Sequence, residues 1–66
     1  MTILVNNRDL ELPEGTTLQE FLVQYYPPVE TTYVWRNREF ISRFSYSSCL
    51  LQDQDRLKVY RVVSGG

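Results

Sequence analysis

The sequence predicts an α+β fold, one mixed sheet of four to five strands with one main helix packed on one face. Three stretches of the 66-residue chain carry that expectation. "TILVNNRDLEL" alternates apolar and polar residues on both sides of two asparagines, "TLQEFLVQY" opens on a helix cap and repeats apolar residues at helical spacing, and "RLKVYRVV" alternates again at the far end.

The first stretch reads as a hairpin. Ile3 and Val5 alternate with Thr2 and Leu4, Leu10 and Leu12 with Asp9 and Glu11, and Asn6-Asn7 tolerate the positive φ that a tight turn demands. "PEG" at 13–15 breaks the strand. At Thr17 a capping box begins, in which the Thr17 hydroxyl accepts from the Glu20 N–H while the Glu20 carboxylate reaches back. Leu18, Phe21, Leu22 and Tyr25 then form one apolar stripe, and Pro27-Pro28 ends a helix expected over 17–26. "TTYVWR" is rich in β-branched and aromatic residues and predicts a third strand with Val34 facing the helix. "NRE" turns the chain, and "FIS" is expected as a short edge segment. "RFSYSSCLL" fits neither the strand nor the helix period and is assigned an irregular crossover with a helical turn, ending in a short strand at Cys49 to Leu51. In the last stretch Leu57 and Val59 share one face, and Lys58, Tyr60 and Val62 the other. With so few elements one face of the sheet is left to solvent. When the first and last strands of such a unit pair in the middle of the sheet they run parallel, and the helix belongs to the crossover between them. That arrangement is the β-grasp, or ubiquitin-like roll. Residues 1–63 form the domain, and 64–66, Ser-Gly-Gly, are expected as a flexible C-terminal tail.

Size and composition exclude most kinds of chemistry. A chain this short buries about 60% of its surface on folding, which leaves one thin core and no room for a deep active site. Seven Lys/Arg against eight Asp/Glu, a net charge of −1, argue against nucleic acid and anionic membrane as partners, although Arg36, Arg38 and Arg43 are close enough in sequence to form a local patch. The single Cys49 cannot form an internal disulfide and points to a reducing, cytoplasmic compartment. It reads as a small buried hydrophobe. No apolar run spans a bilayer, and the N-terminus has no signal-peptide pattern. There is no histidine to serve as base or metal ligand. Asp53 and Asp55, in "LQDQDR", read as a solvated turn before the last strand. No metal site, phosphate loop or activated nucleophile is visible, so the chain is not expected to be an enzyme. Its aromatic residues are too many for the core. A cluster of them on the open sheet face would mark a docking surface, with Tyr60 and Val62 as its expected members.

The chain ends "VVSGG". Together with "ILVN" at the start, "EGTTLQEFL" into the helix, "ISR" in the middle and "LQDQDRL" before the last strand, this ending resembles the ThiS family, the sulfur carriers of thiamine thiazole biosynthesis, over essentially the whole length. Family members usually carry a glycine between the two turn acids, where this chain has Gln54. The resemblance implies that the Gly66 carboxylate is adenylated by an E1-like, ThiF-like adenylyltransferase using ATP and Mg²⁺, with no cofactor bound by this chain. It further implies conversion to a thiocarboxylate by a cysteine desulfurase or other persulfide donor, and consumption of the sulfur by a ThiG-like thiazole synthase. Gly65 accompanies Gly66 in the tail, Val62 and Val63 hold the root of the tail, and Ser64 is small enough to follow the glycines into a narrow channel. Glycine suits that task because it lacks Cβ. A carrier for the molybdenum cofactor, a ubiquitin-like modifier, and a regulatory β-grasp module with dispensable terminal glycines remain as alternatives.

Overall fold

The structure, a computed structural model, describes residues 1–62. Five strands, β1 (Thr2–Val5), β2 (Arg8–Glu11), β3 (Thr32–Arg36), β4 (Glu39–Ile41) and β5 (Arg56–Arg61), form one sheet in the order β2-β1-β5-β3-β4. The terminal strands β1 and β5 are parallel neighbours and every other pair is antiparallel. One helix, α1 (Leu18–Tyr25), covers one face, as expected for a β-grasp.

Local chemistry explains where the elements begin and end. Asn6 and Asn7, at φ 48° and 68°, make the β1-β2 turn. Asn6 also continues β1 with its side chain: its amide donates to the Val59 carbonyl at 3.1 Å and its Oδ1 accepts from the Val59 N–H at 2.9 Å. Thr17 caps α1, accepting from the Glu20 N–H at 3.1 Å while Glu20 accepts from the Thr17 N–H at 2.9 Å. That backbone bond, followed by the Thr17 hydroxyl, holds the Glu20 carboxyl below its ordinary range. Leu18, Phe21 and Leu22 face the sheet and are buried with Ile3, Val34, Leu57 and Val59.

Tyr25 departs from the predicted stripe and is 44% exposed. The helix stops there, and the non-helical backbone of Tyr26 (φ −137°, ψ 48°) turns the next ring edge-on to Phe21, 5.7 Å away, into the half-buried place.

The segment expected to be irregular is a 3-10 helix, Arg43–Ser48, capped by the Ser42 hydroxyl. A repeat of three explains why neither the strand nor the helix period described it. Tyr46, on its inner side, is fully buried and donates its hydroxyl to the Thr32 carbonyl at 3.0 Å. The strand expected at Cys49 to Leu51 does not form. Its backbone meets the residues that lead into α1, through Leu18 N–H to Cys49 O at 2.8 Å and Leu51 N–H to Thr16 O at 3.0 Å, and the start of the helix limits this pairing to one bridge.

The acidic turn is only half solvated. Asp53 is exposed and accepts from the Thr2 N–H at 2.7 Å, a bond that with the Gln54 side chain keeps its carboxyl below the ordinary range. Asp55, contrary to the solvated-turn reading, is 5% exposed. Its carboxylate accepts from Arg36 Nε and the Gln52 N–H, both at 2.8 Å, and from Asn37 Nδ2 at 3.2 Å. A charge is tolerated there because an opposite charge and two further donors surround it. Cys49 is half-buried rather than buried, with Arg36 Nη1 3.7 Å from its Sγ.

Candidate functional site

The alternation of β5 sets the site. Leu57 and Val59 point into the core, so Lys58 and Tyr60 stand on the open face, followed by Val62. Tyr60 is 53% exposed and Val62 41% exposed. The Val62 N–H donates to the Thr31 carbonyl at 2.7 Å, which holds the last described residue beside the start of β3. The other expected site residues, Val63, Ser64, Gly65 and Gly66, lie outside the described residues.

Tyr60 does not stand alone. Its ring meets Trp35 edge-on at 5.5 Å, Trp35 meets Phe40 at 5.1 Å, and Phe40 meets Tyr33 at 6.2 Å. The four rings form a continuous strip across β5, β3 and β4, with Tyr33, Phe40 and Tyr60 each about half exposed. Edge-on and tilted packing of this kind fixes rings on a surface without burying them. Sequence reasoning named only Tyr60 and Val62. The signal for the others was present: Val34 faces inward, so its neighbours Tyr33 and Trp35 face outward, and the Asn37-Arg38 turn brings Phe40 opposite Trp35.

The basic patch expected from Arg36, Arg38 and Arg43 does not assemble. Arg36 turns inward to Asp55, and Arg43 lies over the Phe44 ring at 5.4 Å. Among the described residues no group of three or more His, Cys, Asp or Glu side chains could hold a metal ion. No helix there is long and apolar enough to cross a membrane. What the geometry offers is a rigid aromatic surface on the central strand, immediately before the Ser-Gly-Gly ending.

The family model that matches this chain is that of the ThiS family, over residues 2–66. The chain belongs to the ThiS family. Among solved structures, a crystal structure of the thiamine biosynthesis protein ThiS from Geobacter metallireducens superposes with a TM-score of 0.83 at 22% identity, all of each chain being covered. A solution structure of a thiamine biosynthesis protein from the same organism gives 0.78 at 22% identity, covering 100% of this chain and 88% of the other. These two likenesses bear on the fold. A thiazole synthase of Magnetococcus marinus is 32% identical over 66 residues, the whole of this chain and 20% of that protein, so the chain spans a fifth of that relative's length. Gln54 adopts φ 71°, so the acidic turn has the left-handed backbone that glycine adopts most easily.

Proposed function

We propose that this ThiS-family chain carries sulfur for thiazole formation on the carboxylate of Gly66. The observation that carries the reading is the family match over residues 2–66, which includes Gly65 and Gly66, on a fold whose central strand leads directly to them. A carboxylate is a poor electrophile because its charge is delocalised and its leaving group would be oxide. Attack of the Gly66 carboxylate on the α-phosphorus of ATP expels pyrophosphate and leaves an acyl adenylate; Mg²⁺ held by the partner enzyme would neutralise the phosphates. A persulfide sulfur from a cysteine desulfurase or similar donor then displaces AMP. Cleavage of the resulting acyl disulfide by a thiol leaves the sulfur on Gly66 as a thiocarboxylate. None of these steps needs a side chain of this protein, in keeping with its poor inventory of bases and nucleophiles. The fold supplies a rigid base. The activating groups belong to an E1-like, ThiF-like enzyme, and the sulfur passes to a ThiG-like thiazole synthase, a partnership supported by the Magnetococcus relative. A cytoplasmic setting goes with this reading, because persulfide exchange needs reducing thiols. Tyr60, Val62 and the aromatic strip form the docking surface, while Val63 and Ser64 lead the two glycines into the partner's channel.

The test is intact-protein mass spectrometry after incubation with the adenylating enzyme, ATP and a sulfur source. Wild type gains one sulfur in place of one oxygen. Deleting Gly66 moves the carboxylate back by about 3.5 Å, beyond the tolerance of a near-attack geometry, and abolishes loading while the melting temperature is kept. Gly66→Ala impairs loading, because a methyl restricts φ and crowds the carbonyl. Equal loading of the deletion variant would leave the carrier reading without support and favour a regulatory β-grasp module.

A further inference from the structure

At the end of the open face opposite Val62, the β1-β2 turn, the β3-β4 turn and the start of β5 enclose a shallow depression of about 860 Å³. Leu4, Trp35 and Tyr60 line it together with three cationic side chains, Arg38, Arg56 and Lys58. These cations come from two places far apart in sequence, and pairing of β3 with β5 brings them together: Trp35 stands opposite Lys58, and Asn37 bonds the Arg56 backbone in both directions, at 2.8 and 3.0 Å.

Two features separate this cluster from an ordinary solvated face. Among the described residues the ion pairs are Met1 with Glu14 and Arg36 with Asp55, so none of the three cations is within 4.0 Å of an acidic group. Asp9, on the same face, stands on β2 beyond Leu4. The second feature is the backbone of Arg38. It has φ 74°, at a turn position where glycine is the preferred residue, so a guanidinium is placed at the rim at a conformational cost that glycine would avoid.

We propose that this depression receives an acidic segment of the enzyme that loads Gly66, with an apolar side chain over Trp35 and Tyr60 and carboxylates directed to Arg38, Arg56 and Lys58. The proposal rests on the carrier reading and adds the chemistry by which the partner is recognised. It is continuous with the aromatic strip through Trp35 and Tyr60. Charge complementarity selects the occupant: three cations with no acidic partner among the described residues, set around an apolar floor, match a peptide with a few carboxylates. A nucleic acid is a poorer match, because three cations neutralise few phosphates and the whole chain is net negative. Charges of this kind at the edge of an interface act on encounter and on salt dependence more than on the chemical step.

The experiment measures pyrophosphate release by the cognate adenylating enzyme as a function of carrier concentration, at several salt concentrations. Arg38→Gly is the informative variant, since it removes the charge while relieving the turn, and therefore folds at least as well as wild type. Its KM is expected to rise by about 5- to 10-fold with kcat nearly unchanged, and Lys58→Glu combined with Arg38→Gly by about 50-fold or more. The KM of wild type should rise with salt, and that dependence should flatten in the variants. Unchanged KM and salt dependence in folded variants would overturn the proposal while leaving the carrier reading intact. Tighter binding of an oligothymidylate of about ten residues than of the enzyme at the same salt would also overturn it, in favour of a nucleic-acid site. If wild type is never adenylated by the enzyme, the carrier reading itself fails and this proposal goes with it.

Discussion

Replacing Asp55 with alanine removes the acceptor that ties the end of β3, the β3-β4 turn and the acidic turn together. The carboxylate accepts from Arg36 Nε and the Gln52 N–H at 2.8 Å and from Asn37 Nδ2 at 3.2 Å. Its side chain is 6% exposed and that of Arg36 is 24% exposed. Removing one partner of a fully buried ion pair costs about 3–5 kcal/mol. Arg36 still touches water and recovers part of its hydration, so a loss of about 2–4 kcal/mol is expected for Asp55→Ala. In a domain of this size each kcal/mol moves the melting temperature by about 4–8 °C. The total stability of such a chain is roughly 3–10 kcal/mol, so the variant should be studied by urea denaturation near 10 °C, where a folded baseline can be kept. Asp55→Asn retains one acceptor and should fall between. Asp53→Ala is the control: its exposed carboxylate leaves behind the Thr2 N–H and the Gln54 side-chain amide, both of which water can satisfy, and its effect should be clearly the smaller. If Asp55→Ala lowers the urea midpoint no more than Asp53→Ala, at an unchanged denaturant slope, the cluster is not what holds this end of the sheet.

Tyr60→Ala should cost the fold little, because the ring is half exposed, yet weaken the complex with the adenylating enzyme by at least about 1–2 kcal/mol by calorimetry; an unchanged affinity with an unchanged fold removes Tyr60 from the docking surface. Gln54→Gly relieves a non-glycine residue at φ 71° and, after the larger unfolded-state freedom of glycine is subtracted, should stabilise by about 0.5–1 kcal/mol in thermal melts. A decrease would mean that the Gln54 side chain outweighs the strain. Glu20, held below its ordinary 4.5 by the Thr17 cap, releases its proton more readily in the folded state than in the unfolded one. Its contribution to stability is therefore complete above about pH 4.5 and is lost as pH falls through the lower folded value. Thr17→Val should cost about 1 kcal/mol at neutral pH and flatten stability against pH below that point, and an unchanged acid profile would refute the linkage.

Local chemistry made much of the fold legible in the chain. Asn6-Asn7 specify a turn by their tolerance of positive φ, Thr17 and Glu20 specify a helix start by exchanging hydrogen bonds three residues apart, and the alternation around Val34 and through Leu57 and Val59 assigns the two faces of the sheet. Each signal spans a few neighbouring residues, so no knowledge of the rest of the molecule is needed to read it. The Ser-Gly-Gly ending and the family likeness were visible in the same way. The 3-10 helix Arg43–Ser48 escaped because its repeat is neither of the two that periodicity tests for, and its anchor, the bond from Tyr46 to the Thr32 carbonyl, reaches back 14 residues.

What only the tertiary structure decided is which polar and aromatic side chains share a location. Asp55 is buried because strand pairing brings Arg36 and Asn37, 19 and 18 residues earlier, onto its carboxylate. The same pairing of β3 with β5 places Trp35 beside Tyr60 and joins Arg38 to Arg56 and Lys58, while Arg36, a candidate for that patch on sequence, turns under the sheet. Whether a charge is solvated, paired or left open for a partner depends on neighbours that chain order does not bring together. The sequence by itself therefore determined, through interactions between residues a few positions apart, the five strands of the sheet and the helix, but not that Cys49 to Leu51 stays outside the sheet. The composition of the surface in front of the glycine ending was decided by long-range pairing, since hydrogen-bonded strands, and not adjacency in the chain, set which side chains meet.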